Sequence, residues 1–192
     1  MGCRRGLALV DRQLVEQAQR GDRDAYEALA RASASRLYRT AYRIVRDADR
    51  ADDAVQQTLV TMWRELPSLR DPDRFESWTY RLVVRFCLTE ARRARRTGVR
   101  EVRIDEMTPV RSDVFAEADL RDQLDRALAE LSADHRAVVV LHHYSGLPLG
   151  EIADILGVPY GTVGSRLHHA TRALRASIAA SDRSPVTGGQ PA

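Results

Sequence analysis

Hydrophobic residues recur at helical spacing along most of the chain. Leu37, Ala41 and Ile44 stand three or four positions apart, which is typical of the buried face of an α-helix. A short first helix is followed by a Gly-Asp break, and the pattern then predicts helices at 24–32 and 35–45. Glycines number 11 and aromatic residues make up 6% of the chain, which argues against a β-sandwich or barrel. We therefore expect an all-α fold.

Two longer helices follow, separated by a loop. Asp49 and Asp52 open the first of them, because acids in a first turn interact favourably with the helix dipole, and Pro67 ends it. Two prolines and two aspartates predict a loop over 67–74. The second long helix is expected at 75–96, where it ends in a run of arginines.

The rest of the chain divides into a linker, a compact unit and a tail. Residues 98–118 lack a helical period and are expected to form a flexible acidic linker. Apolar spacing predicts four helices within 119–180, the first with Leu124 on its apolar face. Residues 181–192, which contain two Pro and two Gly, are expected to be disordered. The pattern thus predicts two small helical domains, at 8–97 and 119–180, joined by an acidic linker.

Charge is unevenly distributed between the two halves. Residues 1–100 carry 21 Arg against 14 acids, whereas residues 101–192 carry 9 Arg against 13 acids, so the net charge of +3 conceals +7 and −4. All 30 basic residues are Arg, whose forked donors suit phosphate groups. A basic half next to an acidic segment indicates modules with different partners, and the basic half suits nucleic acid.

The sequence carries no pattern of an enzyme, a metal site or a membrane protein. The longest uncharged apolar run, 137–141, is far shorter than the ~20 residues that span a bilayer, and no signal peptide is visible, so we expect a cytoplasmic protein. The pairs His142-His143 and His168-His169 would be splayed about 100° apart by a helix, which is unsuited to joint metal binding. A Gly-rich phosphate loop and paired carboxylates are also missing. We expect no metal, no cofactor and no enzymatic activity.

Residues 151–167 have the layout of a helix-turn-helix. Ala153 is small where two helices must cross closely, and Gly157 follows where the turn requires a positive φ. Val163 comes ten residues after Ala153 and can fill the space between the helices. A purely structural helical hairpin with a solvated face would share this spacing, but the sequence favours DNA binding.

The second helix of this unit has an apolar and a polar face. At 100° per residue, Val163, Leu167, Ala170 and Leu174 fall on one side, which must be buried. The opposite side and its flanks offer residues for base edges and for phosphates. The candidates are Gly161, Thr162, Gly164, Ser165, His168 and His169 for base edges, and Arg166 and Arg172 for phosphates.

The helix at 75–96 combines aromatic residues with arginines. Its candidates, with one arginine just before the helix, are Arg74, Phe75, Trp78, Tyr80, Arg81 and Arg85. Aromatic rings beside cationic side chains suit unstacked bases and a single-stranded backbone. Aromatic residues at helical spacing are, however, more often part of a core, and arginines can simply solvate a helix. The sequence leaves both interpretations open.

Both modules together resemble one family, the bacterial RNA polymerase sigma factors of the extracytoplasmic-function type, within the sigma-70 family. The first matching block is Asp52–Trp63, continued by Phe75–Arg81, and the second is His135–Leu141, followed by Gly161–Leu167. The resemblance covers about 14–178, nearly the whole chain. Two blocks in this order and spacing are far more specific than a lone helix-turn-helix.

The resemblance implies a transcription initiation factor that binds core RNA polymerase and directs it to promoters. It implies docking on the clamp helices of the polymerase β′ subunit, with the β flap as a further contact. The residues that it assigns to core docking are Asp53, Gln56, Gln57 and Leu59. It also implies an anti-sigma factor or another regulator as a partner, and no membrane partner.

The resemblance further implies two promoter-reading surfaces. The loop at 67–74 and the following helix would capture a flipped minus-10 base and help to melt the duplex, with Arg70 joining the aromatic and basic residues named above. The helix that starts at Tyr160 would read the minus-35 element in the major groove. The acidic linker would run toward the active-site cleft of the polymerase.

Two other classes of protein remain to be weighed. A helix-turn-helix regulator that never touches polymerase would explain the C-terminal unit, but it leaves the Asp–Gln helix and the aromatic–arginine helix without a role. An adaptor that binds only proteins conflicts with the polarity of the helix at 160–178.

Overall fold

The structure, a computed structural model, describes residues 11–96 and 116–181, and every regular element in these ranges is helical. Most of the predicted linker and nearly all of the predicted tail lie outside these ranges. The α-helices are α1 (Arg12–Gln19), α2 (Arg23–Val45), α3 (Ala48–Glu65), α4 (Phe75–Arg96), α5 (Ala116–Glu130), α6 (Ala133–Val139), α7 (Leu149–Leu156) and α8 (Tyr160–Ser181). Two 3₁₀ turns at Leu66–Ser68 and Pro72–Arg74 join α3 to α4, and a π turn at Val140–Tyr144 extends α6. Within the described ranges, no helix is both long and apolar enough to cross a membrane.

Side-chain caps fix where several of these helices begin. Asp11, Asp22, Asp47 and Ser132 precede α1, α2, α3 and α6, and each accepts a hydrogen bond from a backbone N–H two or three residues further on. Such a cap stabilises a helix by about 1 kcal/mol relative to Ala. The predicted start of α3 in an aspartate-rich segment and the predicted bounds of α4 are confirmed.

The predicted division of the second helix is wrong. α2 runs without interruption for 23 residues, because the segment between 32 and 35 contains neither Gly nor Pro and its alanines favour helix. Ser33, in the middle of this segment, is completely buried, so packing against the core also holds the helix together.

The predicted apolar face of α5 is also partly wrong. Leu124 is 43% exposed, because the small apolar cluster on this side takes Leu128 from α5 and Leu131 just after it, and packs them against Val139 and Ala170. The helix begins at Ala116, inside the segment predicted to be linker.

One apolar core runs through both parts of the described chain. Leu29, Met62 and Val83 represent α2, α3 and α4 in it, while Leu141 and Ile152 represent the C-terminal helices. α7 packs against α4, and α6 packs against both α2 and α4. The two parts are therefore in close contact in this structure.

Two polar contacts accompany this packing. Arg46 Nη1 lies 2.8 Å from Asp125 Oδ1, and the guanidinium of Arg43 lies 3.8 Å from the ring centre of Tyr144. Arg46 also ends α2 in a left-handed conformation with φ 60°. A non-glycine residue in this region is unusual, and here it coincides with the contact between the two parts.

Candidate nucleic-acid interface

α7 and α8 form the predicted helix-turn-helix. Gly157 ends α7 with φ 64°, and the N–H of Val158 donates to the carbonyl of Ala153 at 3.2 Å. Val163 is completely buried and Ala153 is 9% exposed, so these two residues lie where the helices meet. The predicted roles of Gly157 in the turn and of Val163 between the helices are confirmed.

The polar face of α8 is open to solvent. Ala170 is buried and Leu167 and Leu174 are half-buried, as predicted for the apolar face. The helix carries no acidic residue. On the other side, the exposed candidates are Tyr160, Gly161, Ser165, His168, His169 and Arg172, and the half-buried ones are Thr162 and Gly164. Arg175, which the sequence analysis did not single out, is exposed as well and adds positive charge one turn beyond Arg172.

Two candidates on α8 already have partners within the protein. Arg166 is half-buried, and its Nη1 lies 3.4 Å from the carboxylate of Asp134 on α6, so this arginine links the two helices. The Ser165 hydroxyl donates to the carbonyl of Thr162 at 3.0 Å and keeps its acceptor capacity. Ser165 can thus still accept a hydrogen bond from a base edge.

The candidates in the α3–α4 loop and on α4 fall into two groups, exposed arginines and aromatic rings that are largely buried. Arg70 and Arg74 in the loop are exposed, as are Arg81 and Arg85 on α4. Trp78 is half-buried, and its ring centroid lies 6.2 Å from that of Phe75. The four arginines are therefore accessible to nucleic acid, whereas most of the aromatic rings are not.

Phe75 and Tyr80 are placed in the core instead of at a surface. Their exposed fractions are 1% and 2%, because their positions on α4 point toward α2 and α3, against which this helix packs. Tyr80 also lies under the guanidinium of Arg36, 4.9 Å from its ring centre. The interpretation of these two aromatic residues as core residues, which the sequence left open, is the one that the structure supports.

A cleft of about 630 Å³ separates α4 from the turn of the helix-turn-helix. Arg81, Arg85 and Arg92 line it from α4, and Asp154 lies among the lining residues of α7. Arg81 and Arg85 of the candidate surface on α4 thereby face α7 and the turn, whereas none of the candidates on α8 lines this cleft.

The candidates for core docking lie on α3. Asp53, Gln56 and Gln57 are exposed, whereas Leu59 is half-buried and packs against the core. The two glutamines border a hollow of about 390 Å³. The sequence analysis missed the other residues of this hollow, which are Val60, Thr61 and Phe86. Val60 could have been found, because it follows Gln56 by one helical turn and is an apolar residue on a polar face, where it is 54% exposed.

Cys87 and His143 also carry reactive side chains, and burial shifts the pKa of each. Cys87 is completely buried, and burial raises the pKa of its thiol far above the ordinary value, so it stays protonated and behaves as a small apolar residue, as predicted. Burial also lowers the pKa of His143, and the neighbouring His142 lowers it further. In the described ranges, no group of three or more His, Cys, Asp or Glu side chains is arranged to hold a metal ion.

An acid-free helix exposed on a helix-turn-helix, close to a second helix with a row of arginines, defines a helical DNA-binding protein. Comparison with known proteins agrees for both parts. The family described as Sigma-70 region 2 matches residues 29–97, and the family described as Sigma-70, region 4 matches residues 121–174. The chain is 38% identical over 146 residues to the ECF RNA polymerase sigma factor SigL of Mycobacterium tuberculosis. The aligned region covers 74% of this chain and 82% of SigL.

Two solved structures share the fold. CnrH, in complex with the cytosolic domain of CnrY, is 27% identical with a TM-score of 0.65, covering 89% of this chain and 98% of CnrH. The sigma factor RpoE of Bartonella quintana, in complex with the anti-sigma factor NepR, is 26% identical with a TM-score of 0.63, covering 82% of this chain and 98% of RpoE.

The chain belongs to the sigma-70 family, among its extracytoplasmic-function factors. It is a transcription initiation factor that directs RNA polymerase to promoters. The alternative of a helix-turn-helix regulator that acts without polymerase is not favoured, since it leaves the whole region 2 match without a role.

Proposed function

We propose that α8 reads the minus-35 element of the promoter from the major groove. The observation that carries this proposal is the acid-free, solvent-exposed face of α8 on a well-formed helix-turn-helix. Gly161, Thr162, Gly164 and Ser165 lie near the start of the helix, where small side chains let the backbone approach base edges. Further residues assigned to this surface are Tyr160, His168 and His169, and Arg166 and Arg172 for phosphates.

The loop over 67–74 and the exposed side of α4 are assigned to the minus-10 element and to melting. Arg70, Arg74, Arg81 and Arg85 supply positive charge for the backbone of the unpaired strand. Of the three aromatic candidates on α4, Phe75 and Tyr80 are buried, whereas Trp78 is half-buried. Extrusion of a base costs only a few kcal/mol, which a pocket on the protein can offset.

The exposed side of α3 is assigned to core polymerase. Asp53, Gln56 and Gln57 would contact the β′ clamp helices directly, whereas Leu59 would support them from beneath. The C-terminal module, proposed at 119–180, would contact the β flap. The N-terminal module is proposed at 8–97, with residues 98–118 as the connection between the two.

Further proposals concern regulation and location. RpoE was solved in complex with the anti-sigma factor NepR, and CnrH in complex with the cytosolic domain of CnrY, and we expect this factor to be controlled by an anti-sigma factor as well. A regulator that competes with the polymerase would reduce run-off transcription in a stoichiometric titration. The place of action is the cytoplasm, where the polymerase works, and no catalytic role is proposed for any residue.

The minus-35 assignment predicts different defects for two substitutions on α8. Arg172→Ala should weaken binding of the holoenzyme to all promoter sequences alike and lower the salt slope by about one unit, because one phosphate contact is lost. Ser165→Ala should instead relax discrimination at one minus-35 position by roughly 1–3 kcal/mol, with little change in the salt slope. The measurement is holoenzyme binding to promoters mutated base by base.

Arg23→Ala provides the matched control, because Arg23 is an exposed arginine at the start of α2, away from the helix-turn-helix in sequence. It should alter neither property. If Arg172→Ala changed the preferred base, and Ser165→Ala changed only the salt slope, the proposed orientation of α8 in the groove would be wrong.

A further inference from the structure

The loop that joins α3 to α4 is held internally by contacts between residues that are close in sequence. The Leu69 N–H donates to the Leu66 carbonyl at 3.1 Å and the Arg74 N–H to the Asp71 carbonyl at 3.0 Å. The Asp71 carboxylate also accepts from the Asp73 N–H at 3.1 Å, and the Ser68 hydroxyl donates to the Glu65 carbonyl at 2.6 Å. Leu66 is buried, Leu69 is half-buried, and most of the other loop residues are exposed. A loop of this kind needs contacts from elsewhere to hold one conformation.

α1 supplies such contacts at both ends of the loop. The Gln19 side-chain amide donates from Nε2 to the Leu66 carbonyl at 3.2 Å and to the Leu69 carbonyl at 2.6 Å. Arg12 Nη1 donates to Asp73 Oδ2 at 2.7 Å. The amide thus holds the first turn, and the guanidinium holds the second.

The geometry of α1 explains how one short helix reaches both turns. Arg12 and Gln19 are seven residues apart, which places them on the same side of the helix and about 10 Å apart along its axis. Val15 and Ala18 are buried, at 1% and 4% exposed, and anchor the helix in the core. An eight-residue helix would be unstable alone, so this packing is what allows α1 to act as a fixed support.

We infer that α1 positions the loop at 66–74 for capture of an unpaired promoter base, with Gln19 and Arg12 as its positioning residues. The inference rests on the proposed role of this loop in melting. A loop held in its binding conformation before DNA arrives does not lose conformational freedom on binding, so the open complex forms more readily. Arg70 lies between the two held turns and stays exposed, as a DNA-contacting side chain requires.

Gln19→Glu tests this inference without changing the shape of the side chain. A carboxylate cannot donate, and it would face two carbonyl oxygens, so we expect the rate of open-complex formation by the holoenzyme to fall about tenfold. Arg12→Ala, on the surface, should reduce the rate about threefold, and Arg12→Lys should restore most of it because the positive donor is kept. The measurements are permanganate reactivity of the melted strand and a titration with core polymerase, whose affinity should stay within twofold.

Two further variants make the outcome decisive. Arg31→Ala removes another exposed arginine from an ion pair, with Glu27 on α2, and it should open promoters normally. Arg70→Ala tests the proposed role of the loop itself. If Arg70→Ala were impaired but Gln19→Glu and Arg12→Ala opened promoters normally, the positioning role would be overturned while the role of the loop stood.

The other outcomes are equally informative. If the single variants at Arg70, Gln19 and Arg12 all melted promoters normally, both proposals would be overturned. Equal losses of core affinity and of opening would also overturn the positioning role, because a general folding defect predicts both. Thermal unfolding of each variant identifies that case independently.

Discussion

Gly164 lies inside α8, where a glycine lowers helix stability. A Cβ added there would meet nothing within 4 Å, and the backbone has ordinary helical dihedrals. Gly164→Ala should therefore raise the free energy of unfolding by about 1 kcal/mol, because Ala loses less backbone entropy on folding. Chemical denaturation measures the gain. Holoenzyme binding to the promoter should fall at the same time, since the added methyl group would lie on the face proposed to approach base edges.

Gly157→Ala is the matched control for this substitution. The space around Gly157 is equally open, but its φ of 64° is unfavourable for a residue with a Cβ atom, so the free energy of unfolding should fall by about 1 kcal/mol. A gain at both glycines would contradict the conformational argument. Unchanged promoter affinity of Gly164→Ala would remove Gly164 from the proposed minus-35 surface.

At the scale of single elements, α3 combines a helix start marked by acids with an exposed face that lacks a partner in the described chain. Replacing Gln56 and Gln57 together by Ala should weaken binding to core polymerase about tenfold, because both side chains border the hollow next to Val60. Thermal stability should hardly change, since both residues are exposed. A titration with core polymerase checks the affinity.

Gln13→Ala, at an exposed glutamine on α1, serves as the control for the same chemical change and should bind core normally. The assignment of α3 to the β′ clamp helices fails if the double variant and the control bind equally well.

How far the sequence predicts these elements depends on whether the signal is local. The bounds of α4 are predictable because prolines precede it and because it ends in an arginine run shortly before Gly98. The turn at Gly157 was predictable for the same reason. α2 is a partial exception: its alanines and the absence of Gly and Pro in its middle favour a continuous helix locally, but the burial of Ser33 is seen only in the tertiary structure.

The candidate sites follow the same rule. Exposed residues on α8 could be identified from helical periodicity alone, whereas Phe75 and Tyr80 could not be assigned to the core until α4 was seen against its neighbours. The two contacts of Gln19 with the loop join residues that are separated by 47 and by 50 positions in the sequence. No local sequence pattern predicts such contacts. Long-range polar contacts to backbone atoms have no signature in a single sequence.

At the scale of the whole molecule, the two parts are packed together. If α4 and α8 read the two promoter elements as proposed, they cannot do so at the same time in this arrangement. Sites named for positions −10 and −35 lie about 25 base pairs, or about 85 Å, apart on duplex DNA. α4, with 22 residues, is only about 33 Å long, and α7 packs directly against it. Under the proposed assignments, promoter binding therefore requires the C-terminal helices to leave α4, which would open the cleft that Arg81 and Arg85 line.

Asp125→Arg should shift the molecule toward the separated state. The aspartate is 56% exposed and its partner Arg46 is 13% exposed, so the ion pair contributes less than about 1 kcal/mol, and reversal of one charge adds repulsion of similar size. We expect the separated fraction of the free factor to rise two- to tenfold.

Energy transfer between two dyes measures the distance between the two parts. The dyes are attached through Arg64→Cys on α3 and Ala173→Cys on α8, with Cys3 replaced by Ser, and buried Cys87 should not react. Adding Arg46→Asp to Asp125→Arg recreates the pair with opposite polarity and should return the distance distribution toward that of the parent chain. An unchanged distribution in the single variant, or no recovery in the double variant, would show that this ion pair does not hold the two parts together.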